Sequence, residues 1–188
     1  MKAAFINDYG AVENLSVGEA PMPVLPANHV MVKAEFGGLR WGDVMARNGL
    51  PSRARPTPFV AGQEAAGVIV EVGPEAKGGW KVGDRVMVSG GSAWAEYVAA
   101  HPATLTPIPD HVRLEQVLAY PVNMRTAYYV IYTWSKLQEG ERVLLHAAAG
   151  GVGMLTLQMI KRKFKNVEVV AIASTPEKLE LLKAEGAD

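Results

Sequence analysis

Apolar residues recur with two different spacings along this chain, and the spacing changes near residue 114. Before that point, short apolar and β-branched runs alternate with turn sequences such as Asn48-Gly49 and Val82-Gly83-Asp84. The runs predict about five strands, at residues 1–7, 30–36, 67–72, 85–89 and 95–100. Many short strands joined by such turns are typical of a small β-barrel.

After residue 114 the pattern predicts helices and buried strands. Strand and helix segments alternate, at residues 143–145, 154–160, 167–173 and 176–184. Thr175 is a suitable N-cap and Pro176 a suitable first residue for the last helix. Strand, helix, strand, helix in this order predict a βαβα unit. We therefore expect an α/β protein with one domain at residues 1–123 and a second at residues 124–188.

A turn of small residues joins the strand at residues 143–145 to its helix, and from residue 146 it reads HAAAGGVG. In the fingerprint G-x-G-x-x-G, Gly150 and Gly153 take the second and third positions and Ala148 takes the first. Such a turn presents main-chain N–H groups and the positive end of a helix dipole to a pyrophosphate. A plain strand-to-helix turn is the alternative interpretation. The predicted cofactor contacts are Ala148, Ala149, Gly150, Gly151, Val152 and Gly153.

The end of the second strand of this unit distinguishes between the two nicotinamide cofactors. An NADH site usually has an Asp or Glu about 20 residues beyond the glycines, which binds the ribose 2′-hydroxyl. This chain has Ala173-Ser174-Thr175 there, without a carboxylate. Ser174 can donate a hydrogen bond to a 2′-phosphate and Lys178 adds a positive charge, so the sequence favours NADPH. The alternative for Lys178 is a solvated helix lysine.

Charge and composition argue against several other functions. The chain has 19 basic and 19 acidic residues, so no overall field attracts nucleic acid or an anionic membrane. No apolar stretch is long enough for a transmembrane helix, and the first residues lack a signal-peptide pattern. The absence of cysteine excludes disulfides and thiolate zinc sites. We expect a cytoplasmic protein that acts on a small molecule.

Four segments resemble a known family: residues 38–49 (GLRWGDVMARNG), 61–69 (AGQEAAGVI), 82–86 (VGDRV) and 146–153 (HAAAGGVG). In these segments the chain is similar to the medium-chain dehydrogenase/reductase superfamily, and within it to the zinc-independent quinone oxidoreductases. The stretch MARNG and the stretch Thr126-Ala127-Tyr128 most resemble the vesicle amine transport protein branch. The resemblance implies a GroES-like β-barrel domain followed by a Rossmann nucleotide-binding domain, truncated here, and a homodimer in the full-length form.

The resemblance also implies a reaction without a metal. Gln63 stands where the zinc alcohol dehydrogenases have a histidine ligand, and an amide is a poor zinc ligand. Hydride transfer from NADPH then requires an electron-poor acceptor, a quinone or an α,β-unsaturated carbonyl, with donors aimed at its oxygen. The candidate residues are Arg40, Trp41 and Tyr128 on the acceptor side and Asn123 and Thr126 on the cofactor side.

Several of these assignments have alternatives. Arg40 stands where the family usually has an asparagine; its guanidinium could stabilise a developing enolate or bind a cofactor phosphate, and a surface salt bridge is the alternative. Trp41 is as compatible with core packing as with an acceptor pocket. Met45 stands where many members carry an active-site tyrosine, so a non-enzymatic nucleotide-binding protein of the vesicle amine transport type stays open. Reduction of an enoyl thioester, with Arg53 and Arg55 binding its phosphates, is a further alternative.

The length of the chain gives one more expectation. A six-stranded Rossmann sheet needs four strands beyond the two predicted here. We expect the second unit to expose an unpaired strand edge and apolar helix faces. We also expect the 188-residue chain alone to bind its cofactor weakly and to have little activity.

Overall fold

The computed structural model describes residues 1–50 and 55–188, and the chain divides into two compact units, Met1–Leu118 and Ala119–Asp188. The sequence predicted a division after residue 123. That position lies inside helix α3 (Pro121–Tyr128), all of which belongs to the second unit. Because the hydrogen bonds of a helix link residues four apart, the chain divides before α3 begins and not within it.

Within the described residues, eight antiparallel strands form two sheets in the first unit. They are β1 (Lys2–Ile6), β2 (Leu15–Glu19), β3 (Val30–Gly38), β4 (Phe59–Val60), β5 (Glu64–Val72), β6 (Arg85–Ser89), β7 (Tyr97–Ala100) and β8 (Leu105–Pro107). The sheets have the orders β2-β1-β4 and β7-β3-β5-β6-β8. The helical segments are α1 (Trp41–Arg47), α2 (Leu114–Val117) and the 3₁₀ turns Val12–Asn14 and Pro102–Thr104.

All five predicted strand segments contain a strand, and β5 begins before its predicted start. The sequence missed β2, β4 and β8, each of which lies at the edge of its sheet. Edge strands are short and half solvated, so they carry a weak alternation of apolar residues. β4 has two residues, and β8 ends at Pro107, a residue that cannot donate a ladder hydrogen bond.

The larger sheet forms the core of the first unit because its apolar residues repeat every second position. Val30, Val32, Ile69 and Val86 are all 0% exposed, as expected for side chains on the inner face of neighbouring strands. In the antiparallel register of β3 and β5, Gly38 is paired with Glu64. This pairing brings the residues that follow β3 next to the residues at the start of β5.

The second unit is a βαβα arrangement preceded by helices. A π-helix (Tyr129–Trp134) continues α3, and β9 (Arg142–Leu145), α4 (Gly151–Lys163), β10 (Glu168–Ala171) and α5 (Pro176–Ala184) follow. β9 and β10 are parallel. Leu157 on α4, Val169 on β10 and Leu182 on α5 are at most 1% exposed and form the core. Each predicted strand and helix of this unit is present, with α4 beginning earlier because the glycines form its first turn.

The strand pair of the second unit has exposed apolar residues. Among the described residues β9 pairs with β10 and with no other strand. Leu144 on β9 is 59% exposed and Val170 on β10 is 41% exposed, although strands of a parallel sheet are normally buried on both faces. The expected open edge is therefore present. No helix in the described part of the chain is long and apolar enough to cross a bilayer.

Candidate cofactor and acceptor sites

The turn after β9 is closed by main-chain hydrogen bonds. Gly150 N–H donates to the Ala147 carbonyl at 2.9 Å, and Met154 N–H donates to the Gly150 carbonyl at 2.9 Å as α4 begins. Ala148 N–H donates to the Ile172 carbonyl at 3.0 Å, which ties the turn to the end of β10. Ala147 has a φ of 50°, a left-handed conformation that is unfavourable for a residue with a Cβ atom.

Two glycines of this turn have different surroundings. A Cβ atom on Gly153 would lie 2.5 Å from the Ala147 carbonyl oxygen and 2.7 Å from Ala148 Cα, so helix α4 touches the turn through this glycine. A Cβ atom on Gly150 would have one neighbour within 4 Å, the same oxygen at 3.2 Å. Gly153 therefore permits close packing, whereas Gly150 leaves open space at the N-terminus of α4. These are the two roles that a pyrophosphate-binding turn requires.

A cavity of about 430 Å³ opens beside this turn, and it is lined by Ala147, Ala149, Gly150, Ile172, Ala173, Ser174 and Lys178. Lys178 Nζ lies 3.3 Å from Ser174 Oγ, so the residues predicted to bind a 2′-phosphate are adjacent. No carboxylate occurs among the described residues of the lining. Glu177 lies next to Lys178 in sequence, and hydrogen bonds from its own backbone N–H and from the Thr175 hydroxyl lower the pKa of its carboxyl.

Thr175 caps α5 as predicted, because its hydroxyl oxygen accepts a hydrogen bond from Lys178 N–H. The cap fixes the first turn of α5 relative to the end of β10. The Lys178 side chain therefore leaves the helix at the cavity.

The remaining predicted cofactor residues have mixed surroundings. Asn123 on α3 lies against the turn, since a Cβ atom on Gly151 would be 2.6 Å from its Nδ2 atom. Thr126 Oγ1 donates to the Val122 carbonyl at 2.8 Å within α3. The Val152 carbonyl accepts a hydrogen bond from Thr156 Oγ1 at 2.8 Å inside α4. The turn and Asn123 are thus adjacent, while the predicted role of Thr126 has no described contact that tests it.

Arg40 forms the polar centre of the first unit. Its Nη2 atom donates to Gln63 Oε1 at 2.6 Å, and its Nε atom lies 3.7 Å from Glu64 Oε1. The side chains of Arg40 and Glu64 are 16% and 3% exposed. The Gly38–Glu64 pairing of β3 and β5 explains the contact, because Arg40 follows one strand and Gln63 precedes the other. The alternative of a surface salt bridge is therefore wrong.

The backbone around Arg40 is also fixed. Arg40 N–H donates to Asp43 Oδ2 at 2.9 Å, and Asp43 N–H donates to the Arg40 carbonyl at 3.0 Å, so the two residues close the first turn of α1. Asp43 is 6% exposed. The guanidinium and the backbone of Arg40 are thus both positioned by neighbouring residues.

The aromatic candidates lie at the surfaces of their own units. Trp41 is 73% exposed at the first position of α1, so the alternative of core packing is wrong. Tyr128 is 53% exposed at the end of α3 and its ring lies 4.7 Å from the Tyr132 ring. Acceptor contacts by Trp41 and Tyr128 stay predictions. Met45 is half-buried in α1.

A cavity of about 250 Å³ lies inside the first unit, beside Gln63. Its walls are largely apolar, and the described residues lining it are Ile6, Leu15, Leu39, Asp43, Val44, Ala46, Arg47, Arg55, Phe59, Val60, Ala61, Gly62, Gln63, Gly91 and Trp94. The sequence did not predict this cavity, because its residues come from separate strands and loops. Three of its lining residues, Ala61, Gly62 and Gln63, belong to the family segment at residues 61–69.

Two further expectations concern charged and metal-binding residues. Arg53 lies outside the described residues, and Arg55 lies at the cavity of the first unit. No group of three or more His, Asp or Glu side chains within the described residues has the geometry to hold a metal ion. The side-chain oxygen of Gln63 accepts a hydrogen bond from the Arg40 guanidinium.

Several known proteins and one family model are similar to this chain in sequence. A family model for the alcohol dehydrogenase GroES-like domain matches residues 26–110. The synaptic vesicle membrane protein VAT-1 homolog of Mus musculus is 37% identical over 189 residues, which is 99% of this chain and 46% of that protein. A probable quinone oxidoreductase of Schizosaccharomyces pombe is 34% identical over 171 residues, 90% of this chain and 50% of that protein.

Comparison of the fold with solved structures also finds a quinone oxidoreductase. The crystal structure of Escherichia coli quinone oxidoreductase complexed with NADPH matches with a TM-score of 0.89 at 27% identity, over 100% of this chain and 57% of that chain. The chain spans about half the length of the curated relatives that it matches. The match over residues 26–110 assigns the first unit to a GroES-like domain, and the βαβα unit has the strand and helix order of a Rossmann domain. The chain belongs to the zinc-independent quinone oxidoreductase family of the medium-chain dehydrogenase/reductase superfamily, related to the VAT-1 homologues.

Proposed function

We propose that this protein is an NADPH-dependent oxidoreductase that transfers a hydride to a quinone or an α,β-unsaturated carbonyl compound. The observation that carries the proposal is the open turn at Gly150, beside the adjacent side chains of Ser174 and Lys178. The relatives named quinone oxidoreductase, one of them solved complexed with NADPH, support the same function.

The second unit holds the cofactor in this proposal. When bound, NADPH supplies a hydride from its nicotinamide ring. Main-chain N–H groups between Ala148 and Gly153, with the dipole of α4, bind the pyrophosphate. Ser174 and Lys178 bind the 2′-phosphate through a hydrogen bond and a charge. Asn123 and Thr126 are assigned to the nicotinamide end of the site.

The first unit stabilises the acceptor in this proposal. Reduction places negative charge on the carbonyl oxygen, and the guanidinium of Arg40 donates a hydrogen bond to that oxygen. Gln63 and Glu64 fix the guanidinium beforehand, so little reorganisation is needed when charge develops. Water supplies the proton that completes the reduction. Trp41 and Tyr128 are assigned to acceptor contacts on their respective units.

A steady-state assay of the whole protein tests this function. NADPH oxidation is followed with 1,2-naphthoquinone and with a 2-alkenal as acceptors. Removal of one oxyanion donor typically lowers kcat by about 100-fold or more, so Arg40→Met is expected to lower kcat on that scale and to leave the Kd for NADPH unchanged. Arg113→Met is the control, because Arg113 is exposed and pairs with Glu115 at 3.0 Å. Wild-type kcat in Arg40→Met would show that Arg40 is not the donor.

A second candidate is nucleotide binding without turnover, by a protein of the vesicle amine transport type. The similarity to the mouse VAT-1 homolog favours it, together with the half-buried Met45 where the family resemblance implies a tyrosine. Calorimetry that detects NADPH binding, with no turnover of either acceptor, would select this candidate.

Three further properties belong to the proposal. We infer that the partner is a small molecule and not a nucleic acid, that the full-length protein is a homodimer, and that it acts in the cytoplasm. The balanced formal charge supports the first of these. Light scattering on the purified whole protein measures the oligomeric state, and cell fractionation measures the location.

A further inference from the structure

The cavity of the first unit contains two arginines in largely apolar walls. Arg47 comes from the last turn of α1, and Arg55 lies just before β4. Asp43 is the other ionisable residue among the described residues of the lining, and its Oδ2 atom accepts the hydrogen bond from Arg40 N–H. The described ionisable residues of the lining, two arginines and one aspartate, therefore carry a net formal charge of +1. A neutral quinone leaves that charge uncompensated.

Arg55 is held in place at the cavity wall. The Tyr9 hydroxyl accepts a hydrogen bond from Arg55 N–H at 2.7 Å and donates one to the Arg55 carbonyl. The Arg55 guanidinium lies 4.8 Å from the centre of the Phe59 ring, and its Nη2 atom lies 3.3 Å from Ser92 Oγ. Both its backbone and its side chain are thus positioned before a ligand arrives, which lowers the entropy lost on binding.

Arg47 presents a hydrogen-bond donor that has no acceptor among the described residues. Its Nε atom is buried and has no hydrogen-bond partner within residues 1–50 and 55–188. Its Nη2 atom makes a long contact of 3.3 Å to Asn48 Oδ1. A buried donor that lacks an acceptor is unfavourable, and an anionic ligand oxygen removes that penalty.

The volume of the cavity limits the ligand. Ligand pockets usually measure roughly 300–1,000 Å³, and this cavity is smaller, at about 250 Å³. It suits an acceptor with one ring better than a coenzyme A thioester, whose phosphates lie far from the reacting group. Two guanidinium groups are well matched to a carboxylate, which accepts several hydrogen bonds in one plane.

We propose that this cavity binds the carboxylate of a small aromatic acceptor, such as a ring-substituted enone acid, through Arg55 and Arg47. The inference rests on the proposed function for its catalytic consequence, but the binding itself is measurable without turnover. Tyr9 acts as a positioning residue in this site, because its hydroxyl holds the backbone of Arg55.

Isothermal titration of the whole protein with a pair of unreactive ketones tests the site. The probes are 4-(3-oxobutyl)benzoate and the uncharged 4-phenylbutan-2-one, which differ in the carboxylate. Wild type is expected to bind the benzoate at least tenfold more tightly. In Arg55→Met the ratio of the two affinities is expected to fall about tenfold. In Arg55→Lys part of this ratio is expected to remain, because lysine retains the charge but lacks the planar guanidinium group. Arg113→Met, at an exposed pair away from the cavity lining, is expected to keep the full preference.

Tyr9→Phe distinguishes a loss of carboxylate binding from a loss of folding. It is expected to weaken binding of the benzoate several-fold and to leave binding of the uncharged ketone unchanged, because it releases Arg55 alone. Equal affinities for the two ketones in wild type, or an unchanged preference in Arg55→Met, would overturn the proposal.

Steady-state kinetics with NADPH separates this inference from the proposed function. The acceptors are 4-phenylbut-3-en-2-one, its para-carboxylate and crotonyl-coenzyme A. A higher kcat/KM for the para-carboxylate than for the other two supports the inference, whereas a preference for the thioester contradicts it. Turnover of none of these acceptors would count against the reductase function, and the titration would then decide the carboxylate site by itself.

Discussion

Alanine at either of two glycines in the turn after β9 separates helix packing from cofactor binding. In Gly153→Ala the new Cβ atom would lie 2.5 Å from the Ala147 carbonyl oxygen, and Cβ contacts under 3.0 Å are essentially never seen. The turn or α4 must therefore move by at least about 0.5 Å, and overpacking of this kind costs about 1–3 kcal/mol. The greater helix preference of alanine offsets up to about 1 kcal/mol. We expect a net loss of about 1–2 kcal/mol.

Gly150→Ala is the matched control for stability. Its φ of −80° and ψ of 167° suit any residue, and its new Cβ atom has one neighbour, an oxygen at 3.2 Å. The change is expected to alter the free energy of unfolding by less than about 0.5 kcal/mol. It places a methyl group where the pyrophosphate approaches, so the Kd for NADPH is expected to rise at least about tenfold.

Thermal unfolding and calorimetry measure the two effects. For a chain of this size 1 kcal/mol corresponds to about 2–4 °C, so Gly153→Ala should lower the Tm by about 2–8 °C and Gly150→Ala by less than about 2 °C. Equal losses of Tm in both variants would refute the packing argument. An unchanged affinity for NADPH in Gly150→Ala would refute the assignment of the turn to the pyrophosphate.

Three further predictions follow from other parts of the second unit. Lys178→Met should raise the Kd for NADPH about tenfold, a loss of about 1.4 kcal/mol, and leave the Kd for NADH unchanged; Lys183→Met on the same helix should change neither, since Lys183 pairs with Glu180. Ala147→Gly should raise the Tm by about 2–4 °C, because the φ of 50° is favourable for glycine. A lower Tm would contradict the inference that the backbone of Ala147 is strained. The pKa of Glu139 is lowered because its carboxylate accepts hydrogen bonds from Asn166 N–H and Lys165 N–H. Its stabilising effect is complete above its ordinary pKa of 4.5 and is lost as pH falls through the lower folded value, so the Tm difference between wild type and Glu139→Gln should be largest near pH 7 and vanish in strong acid.

The nucleotide-binding turn was predictable from sequence because its determinants are local. The spacing of Gly150 and Gly153 fixes where the chain approaches itself and where it stays open. Thr175 and Pro176 mark the start of α5 by capping and by a fixed φ, and both need neighbours within one helical turn. Such signals depend little on how distant segments pack.

The polar centre at Arg40 was predictable in part. The sequence identified Arg40 and Gln63 as unusual residues in family segments, but it did not show that they form a hydrogen bond. That contact depends on the register of β3 and β5, in which Gly38 pairs with Glu64. Register is set by the packing of both strands, which residue types alone do not determine.

The cavity of the first unit was not predictable, because its walls come from segments far apart in sequence. Tyr9 and Arg55 are separated by 46 residues and meet through a hydroxyl and a backbone. The exposure of Trp41 was also left open, because a single aromatic residue at the start of a short helix has no periodic pattern around it.

The position of Trp94 has a consequence for measurement. Its indole forms part of the cavity wall and donates a hydrogen bond to the Gly38 carbonyl at 2.9 Å. The chain has four tryptophans, and the other three are absent from the cavity lining in the described part of the chain. A quinone that enters the cavity comes within contact of one intrinsic fluorophore, so quenching of tryptophan emission reports occupancy of the first unit directly, without a label and without any redox turnover.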